Sequence, residues 1–191
     1  MRKKIKRYWI MMRLMFFRHG IQAATYLKVK SIFKHMGNNC AWHAKKIPSE
    51  PELISLGNNV HISADVRFIT HDIIGDMFNR NPEISKEYHF PFYTGTIKIN
   101  DNCVIGAGAT LMYNTEIGPN SIVAAGAVVT KNVPTGEIWG GVPARYIGTT
   151  ADFAEKCLKE TPPYDEKQFK INRRQEIERI LNTDCDKEKN S

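Results

Sequence analysis

The chain has 191 residues, 42% of them hydrophobic and 25% charged, which suits one compact domain with appendages and excludes a disordered tail protein. Its net charge of +7 is local: residues 1–36 hold ten Lys or Arg and no acid, and the rest holds 17 basic against 20 acidic residues, so no nucleic-acid-binding fold is indicated. The longest apolar runs fall short of the eighteen residues a membrane span needs. Four scattered cysteines (Cys40, Cys103, Cys157, Cys185) lack C-x-x-C spacing and point to a reducing cytoplasm rather than a zinc site or disulfide framework.

Taken in chain order, residues 1–35 form a basic segment predicted to be helical through "YWIMMRLMFF" and "IQAATYLKVKSIF". Arg13 interrupts the apolar part and no small-residue cleavage site follows, so the segment is read as retained. Two readings stay open for it. It either plugs the end of the following domain, or lies on anionic lipid through Trp9, Phe16 and Phe17, which would bring the protein to the inner face of the membrane.

A six-residue period governs the next hundred residues. "LGNNVH", "ISADVR" and "FITHDI" open on Leu56, Ile62 and Phe68. From residue 99 six more follow, opening on Ile99, Ile105, Leu111, Ile117, Val123 and Val129. Side chains alternate along a strand, so each opener faces the same way as the fifth residue of the hexapeptide before it. Those fifth residues (Cys103, Ala109, Thr115, Ser121, Ala127, Val133) are small or medium-sized, as a narrow interior demands. The fourth column reads Asn59, Asp65, His71, Asn102, Gly108, Asn114, Asn120, Gly126, Asn132, residue types that enter the left-handed region at least cost. Each hexapeptide is thus predicted to be a short strand and a tight corner, three to a triangular coil. An imperfect coil starts at Met36 and reaches Leu56 after 20 residues instead of 18, which requires a bulge. Phe68 to Ile99 spans 31 residues where six suffice. About 25 residues, roughly 73–97, therefore loop out just after Asp72, and they carry the aromatic cluster "YHFPFY". Beyond the repeats, helices are predicted over 151–160 and 165–182, separated by "TPPY", with "NTDCDKEKNS" as a disordered tail.

"GTIKINDNCVIGAGATL", "IGPNSIVAAGAVVTKNVP" and "GGVPAR" resemble the hexapeptide-repeat acyltransferases, in particular sugar and capsular-polysaccharide O-acetyltransferases. The resemblance covers about residues 36–148 and implies a mainly β domain, a left-handed parallel β-helix with the 73–97 loop inserted. It is flanked by an N-terminal helical segment (1–35) and by C-terminal helices and tail (149–191).

The same resemblance implies an acetyl-CoA-dependent O-acyltransferase without a metal, working as a homotrimer with its sites between subunits and acting on a sugar, glycan or other small acceptor. His71, beside the long loop, would be the general base on the acceptor hydroxyl; its alternative reading is a corner residue that merely tolerates positive φ. Asp72 would orient the imidazole or be a solvated carboxylate. The backbone N–H of Ala107 would stabilise the oxyanion. Ala107, Ala125 and Thr130 would line the pantetheine arm; Lys131 and Arg145 would meet the cofactor's phosphates or be ordinary surface charges, and Trp139 would stack on the adenine or cap the end of the β-helix. No role is assigned to His61 or His89. Rival readings are N-acetyl transfer to an amino sugar or xenobiotic, and a non-catalytic scaffold or membrane-surface module.

Overall fold

The computed structural model describes residues 2–160 and 164–188. Two compact units emerge, residues 1–151 and 152–191. In the first, helices α1 (Arg2–Phe16) and α2 (Gly20–Val29) precede the strands β1 (His35–Met36), β2 (Ala41–Trp42), β3 (Ile54–Leu56), β4 (His61–Ile62) and β5 (Arg67–Ile69). A short helix α3 (Ile74–Asn79) follows, then β6 (Ile97–Ile99), β7 (Val104–Ile105), β8 (Thr110–Met112), β9 (Thr115–Ile117), β10 (Ile122–Val123), β11 (Val128–Val129), β12 (Glu137–Gly140) and β13 (Arg145–Thr149).

These short strands stack as three parallel faces. The first is β1-β3-β6-β9, the third is β5-β8-β11, and the second is β2-β4-β7-β10-β12, closed by β13, which pairs antiparallel with β12. The burial follows from the hexapeptide columns. Openers from Leu56 through Val129 are buried, as are the fifth-position residues from Val60 through Val133 other than Asp72, and they fill the prism with one aliphatic column per face. Seven of the nine fourth-column residues have positive φ: Asn59, Asp65, Asn102, Gly108, Asn114, Asn120 and Gly126. His71 and Asn132 do not. His71 is instead held in an antiparallel bridge to Thr94, so its alternative reading as a left-handed corner is overturned. At Asn132 the frame slips, because Val133 pairs with Ile117 two residues ahead of the regular position.

The register locates every irregularity. Ile99 pairs with Ile117 and Val104 with Ile122, at the ideal interval of 18. Ala41 pairs with His61, an interval of 20, and the surplus falls between β2 and β3, in the stretch that carries Glu50. His61 pairs with Val104, an interval of 43, and the 25 additional residues leave between β5 and β6. Ile122 pairs with Ile138, an interval of 16, and the deficit falls after β11. The long insertion and the shortening both lie on the edge where the third face turns into the first. The other two edges keep the period.

The insertion leaves the prism where the spacing places it. It contains α3, and its two ends are laced together where they leave the prism. Asp72 N–H donates to Tyr93 O (3.2 Å) and Gly95 N–H donates to Thr70 O (2.9 Å).

α2 packs on β2 at the start of the prism. Ile10 and Leu14 of α1 are buried in the same core as Ala23, Ala24 and Leu27 of α2 and Trp42, which lies parallel to Phe68 at 5.7 Å. Arg7 donates to Ile47 O (2.7 Å) and Ser49 O (2.8 Å), tying α1 to the bulge before β3. Lys45 Nζ donates back to Phe17 O (3.1 Å), at the C-terminal end of α1 where cations are favoured.

In the C-terminal region, α4 (Thr150–Glu160), α5 (Glu166–Ile171) and α6 (Arg173–Glu188) are helical. The single helix expected over 165–182 is broken at Asn172 (φ −143°), and α6 continues to Glu188 where a disordered tail was expected. Residues 161–163 of "TPPY" and the last three residues lie outside the described residues.

Candidate active site

Two departures from the repeat meet on the edge between the third and first faces. The bulge before β3 carries Glu50, and His71 stands where the long insertion leaves. His71 Nδ1 lies 2.9 Å from Glu50 Oε2, with the two side chains 30% and 29% exposed. The hydroxyl of buried Thr70 donates to the same carboxylate oxygen. Burial opposes charge on Glu50, but the bonds from Thr70 and His71 outweigh it, with help from the Arg7 charge, and hold its carboxyl below the ordinary value of 4.5. With its folded value lowered, the pairing contributes in full above pH 4.5 and is lost only as acid carries the pH down through that lowered value.

A carboxylate on Nδ1 fixes the neutral ring as the Nδ1–H tautomer and leaves the lone pair on Nε2, the form required to accept a proton. The ring of Phe92, itself exposed, lies 5.1 Å from the imidazole.

Asp72 does not hold the imidazole. Its Oδ2 accepts from Tyr113 Oη–H (2.8 Å) and its Oδ1 from Ile74 N–H (3.1 Å), so it fastens the root of the insertion to β8 and caps the turn into α3. The carboxylate at His71 Nδ1 is that of Glu50, not of Asp72. The reason is geometric: residues adjacent in an extended chain point to opposite sides. Tyr113 meets Tyr93 edge-to-face at 5.1 Å, its hydroxyl pushed up by the bond to Asp72. Asn114 Nδ2 donates to Tyr93 Oη (2.9 Å). The result is a polar and aromatic wall beside His71. Glu50 escaped the sequence reading, although the two-residue surplus between Met36 and Leu56 marked where to look.

The three edges carry different chemistry. Between the first and second faces, the corner asparagines form a ladder, Asn59 Nδ2 to Asn102 Oδ1 (3.1 Å) and Asn102 Nδ2 to Asn120 Oδ1 (3.0 Å). Between the second and third faces the corners are Ala64-Asp65, Ala107-Gly108 and Ala125-Gly126, joined by Gly108 N–H to Ala64 O (2.9 Å) and Gly126 N–H to Ala107 O (2.8 Å). A side chain added at Gly108 or Gly126 would meet open space, so packing does not require glycine there; beyond Asp65 this edge is bare backbone. Gly106, by contrast, is required, since a Cβ there would overlap the Ala125 nitrogen of the next coil.

Ala107 and Ala125 are exposed on the bare edge, with Arg145, also exposed, following the corner after β12. Trp139 is half-buried on β12, its indole N–H donating to Glu137 Oε2 (2.7 Å). Thr130 and Lys131 are exposed and follow β11, on the His71 edge. One chain therefore brings His71, Glu50, Thr130 and Lys131 to one edge, and Ala107, Ala125 and Arg145 to another, with the third face between. Among the described residues, no cluster of three or more His, Cys, Asp or Glu side chains is placed to hold a metal ion.

The bacterial transferase hexapeptide (six repeats) family matches residues 96–131. Protein CapG of Staphylococcus aureus is 35% identical over 136 residues, 69% of this chain and 75% of that protein. The chain belongs to the hexapeptide-repeat acyltransferase superfamily. Galactoside O-acetyltransferase of Escherichia coli is 30% identical over 114 residues, 59% of this chain and 52% of that enzyme. The chain spans about half the length of other curated relatives it matches, 55% for a protein of Bacillus subtilis and 42% for one of Schizosaccharomyces pombe. Among solved structures, a hexapeptide-repeat acetyltransferase of Vibrio cholerae superposes with a TM-score of 0.51 at 18% identity, covering 75% of this chain and 88% of that one. That likeness carries the superfamily's fold, a left-handed parallel β-helix.

Proposed function

We propose that the protein is an acetyl-CoA-dependent O-acyltransferase acting on a hydroxyl of a sugar or glycan, with His71 as general base. The observation that carries this reading is the Glu50–His71 pair at the mouth of the insertion, with Nδ1 2.9 Å from a carboxylate oxygen, so that Nε2 is the nitrogen left to take a proton. An alcohol is a weak nucleophile at neutral pH. His71 takes the hydroxyl proton as the oxygen attacks the thioester carbonyl, an O–C bond forms, the C–S bond breaks, and the proton passes to the departing thiolate. The Ala107 N–H would stabilise the oxyanion between those events.

The bare edge of Ala107, Gly108, Ala125 and Gly126 suits a pantetheine arm approaching the backbone, with Arg145 and Lys131 for phosphate and Trp139 for the adenine. Ala107, Ala125 and Arg145 lie on a different edge of one chain from His71, whose own edge carries Thr130 and Lys131. The separation supports a homotrimer in which the imidazole edge of one subunit faces the bare edge of the next. Phe92, Tyr93, Tyr113 and Asp72 supply an aromatic surface and a carboxylate beside the base, the combination that grips a pyranose ring. The name borne by the galactoside O-acetyltransferase relative points the same way.

Incubating the protein with acetyl-CoA and a panel of sugars and nucleotide sugars, and following free thiol, tests the reading. Acceptor-dependent thiol release is expected with a hydroxyl acceptor. Release only with amino sugars would make it an N-acetyltransferase, and no release together with no acetyl-CoA binding would leave a scaffold.

Gly126→Asn tests the donor edge by itself. Asparagine already occupies five corners at φ between 53° and 58°, close to the 70° of Gly126, so the fold is retained. The new side chain projects into the open space assigned to the donor, and KM for acetyl-CoA should rise about tenfold or more, equivalent to roughly 1.4 kcal/mol of binding.

A further inference from the structure

α1 has two apolar faces, and the core uses only one. Ile10 and Leu14 are 5% and 1% exposed, sealed against the prism. Tyr8, Trp9, Met12, Met15 and Phe16 are exposed, Trp9 at 69% and Phe16 at 78%. At about 100° per residue these five occupy an arc of about 120° directly opposite Ile10 and Leu14. A helix that merely capped a β-helix would turn a polar back to solvent.

The charge around this face is equally one-sided. Residues 1–18 carry seven Lys or Arg and no Asp or Glu. Arg13 and Arg18 are exposed, Arg13 lying against the ring of Tyr26 at 5.2 Å. Within residues 7–39, no ion pair within 4 Å engages a Lys or Arg.

We infer that this outer face of α1 docks on an anionic lipid bilayer, with the aromatic and methionine side chains at the headgroup boundary and the cations on the headgroups. A second copy of the chain is the poorer occupant, because joining two such faces would set seven cations against seven with no acid in the segment to offset them. Plugging and membrane contact, which competed as readings of the sequence, are thus compatible: they belong to opposite sides of one helix. Arg7 gives the docking site its bearing on the reaction. Through its bonds to Ile47 O and Ser49 O, the helix that meets lipid also holds the bulge carrying Glu50. An acceptor carried on a lipid would be delivered to the same end of the molecule as the imidazole. The docking inference itself does not depend on the acyltransferase reading, since its test measures binding alone.

The test is sedimentation of the full chain with vesicles of phosphatidylcholine containing about one-third phosphatidylglycerol, against vesicles of pure phosphatidylcholine. Binding to the anionic vesicles is expected to exceed binding to neutral ones by at least tenfold and to weaken in high salt. The double variant Trp9→Ser, Phe16→Ser is expected to lose at least tenfold in anionic vesicle binding while keeping the wild-type melting temperature and oligomeric mass. Equal binding to both vesicle types, full binding by the double variant, or a change in its oligomeric mass that reveals a face between copies would each overturn the inference.

Discussion

His71→Ala lowers turnover by about 10²–10⁴-fold, the range that positioned general-base help supplies, while the melting temperature, the oligomeric mass and acetyl-CoA affinity stay near those of the unaltered protein. The ring is partly exposed at the lip of the prism and contributes nothing to the aliphatic filling, so its removal opens no cavity. Steady-state kinetics with the best acceptor from the sugar panel, paired with equilibrium binding of acetyl-CoA, checks the split. Undiminished turnover would remove His71 from the mechanism. Glu50→Gln gives a smaller loss, confined to kcat, because an amide still accepts a bond from Nδ1–H but no longer stabilises the ring as it gains a proton. Asp72→Asn perturbs the insertion through Tyr113 and the turn at Ile74, and its effect falls on acceptor KM.

The second large effect is on folding. Leu14→Ala removes a side chain that is 1% exposed at the sealed end of the prism, at a cost of about 2–5 kcal/mol for such a truncation. At about 2–4 °C per kcal/mol in a chain of this length, the melting temperature falls by roughly 4–20 °C. Deleting residues 2–18 goes further: it takes Ile10 and Leu14 out of the core and removes the Arg7 clamp, and the product aggregates. Calorimetry for the point variant and light scattering for the truncation measure these outcomes. Soluble, active truncated protein would show that α1 is not a cap. Trp9→Ser, on the opposite side of the same helix, serves as the control that leaves melting unchanged.

The repeat was legible because its physics is local. An aliphatic residue every six positions, a small partner two before it, and Asn, Asp or Gly at the corner leave the backbone one regular solution, and the surplus and insertion could be counted from the spacing alone. The register intervals of 20 and 43 exceed 18 by 2 and by 25, the same surpluses that the spacings from Met36 to Leu56 and from Phe68 to Ile99 give. The expected disorder of the tail failed because composition does not report helix continuation, and α6 runs on to Glu188. The helix inside the insertion escaped for a different reason: six residues, Ile74–Asn79, are too few for a periodic signal.

By itself, the sequence determined which side chains fill the prism, which residues turn its corners and where the chain must leave it, since each depends on neighbours six or fewer positions away. Only the tertiary structure decided that Glu50, and not Asp72, meets His71. That pairing spans twenty-one positions and exists because two coils with different irregularities are stacked at one edge. The two-sidedness of α1 was settled in the same way, for only packing against a core tells which apolar face of a helix is spent and which is left to solvent.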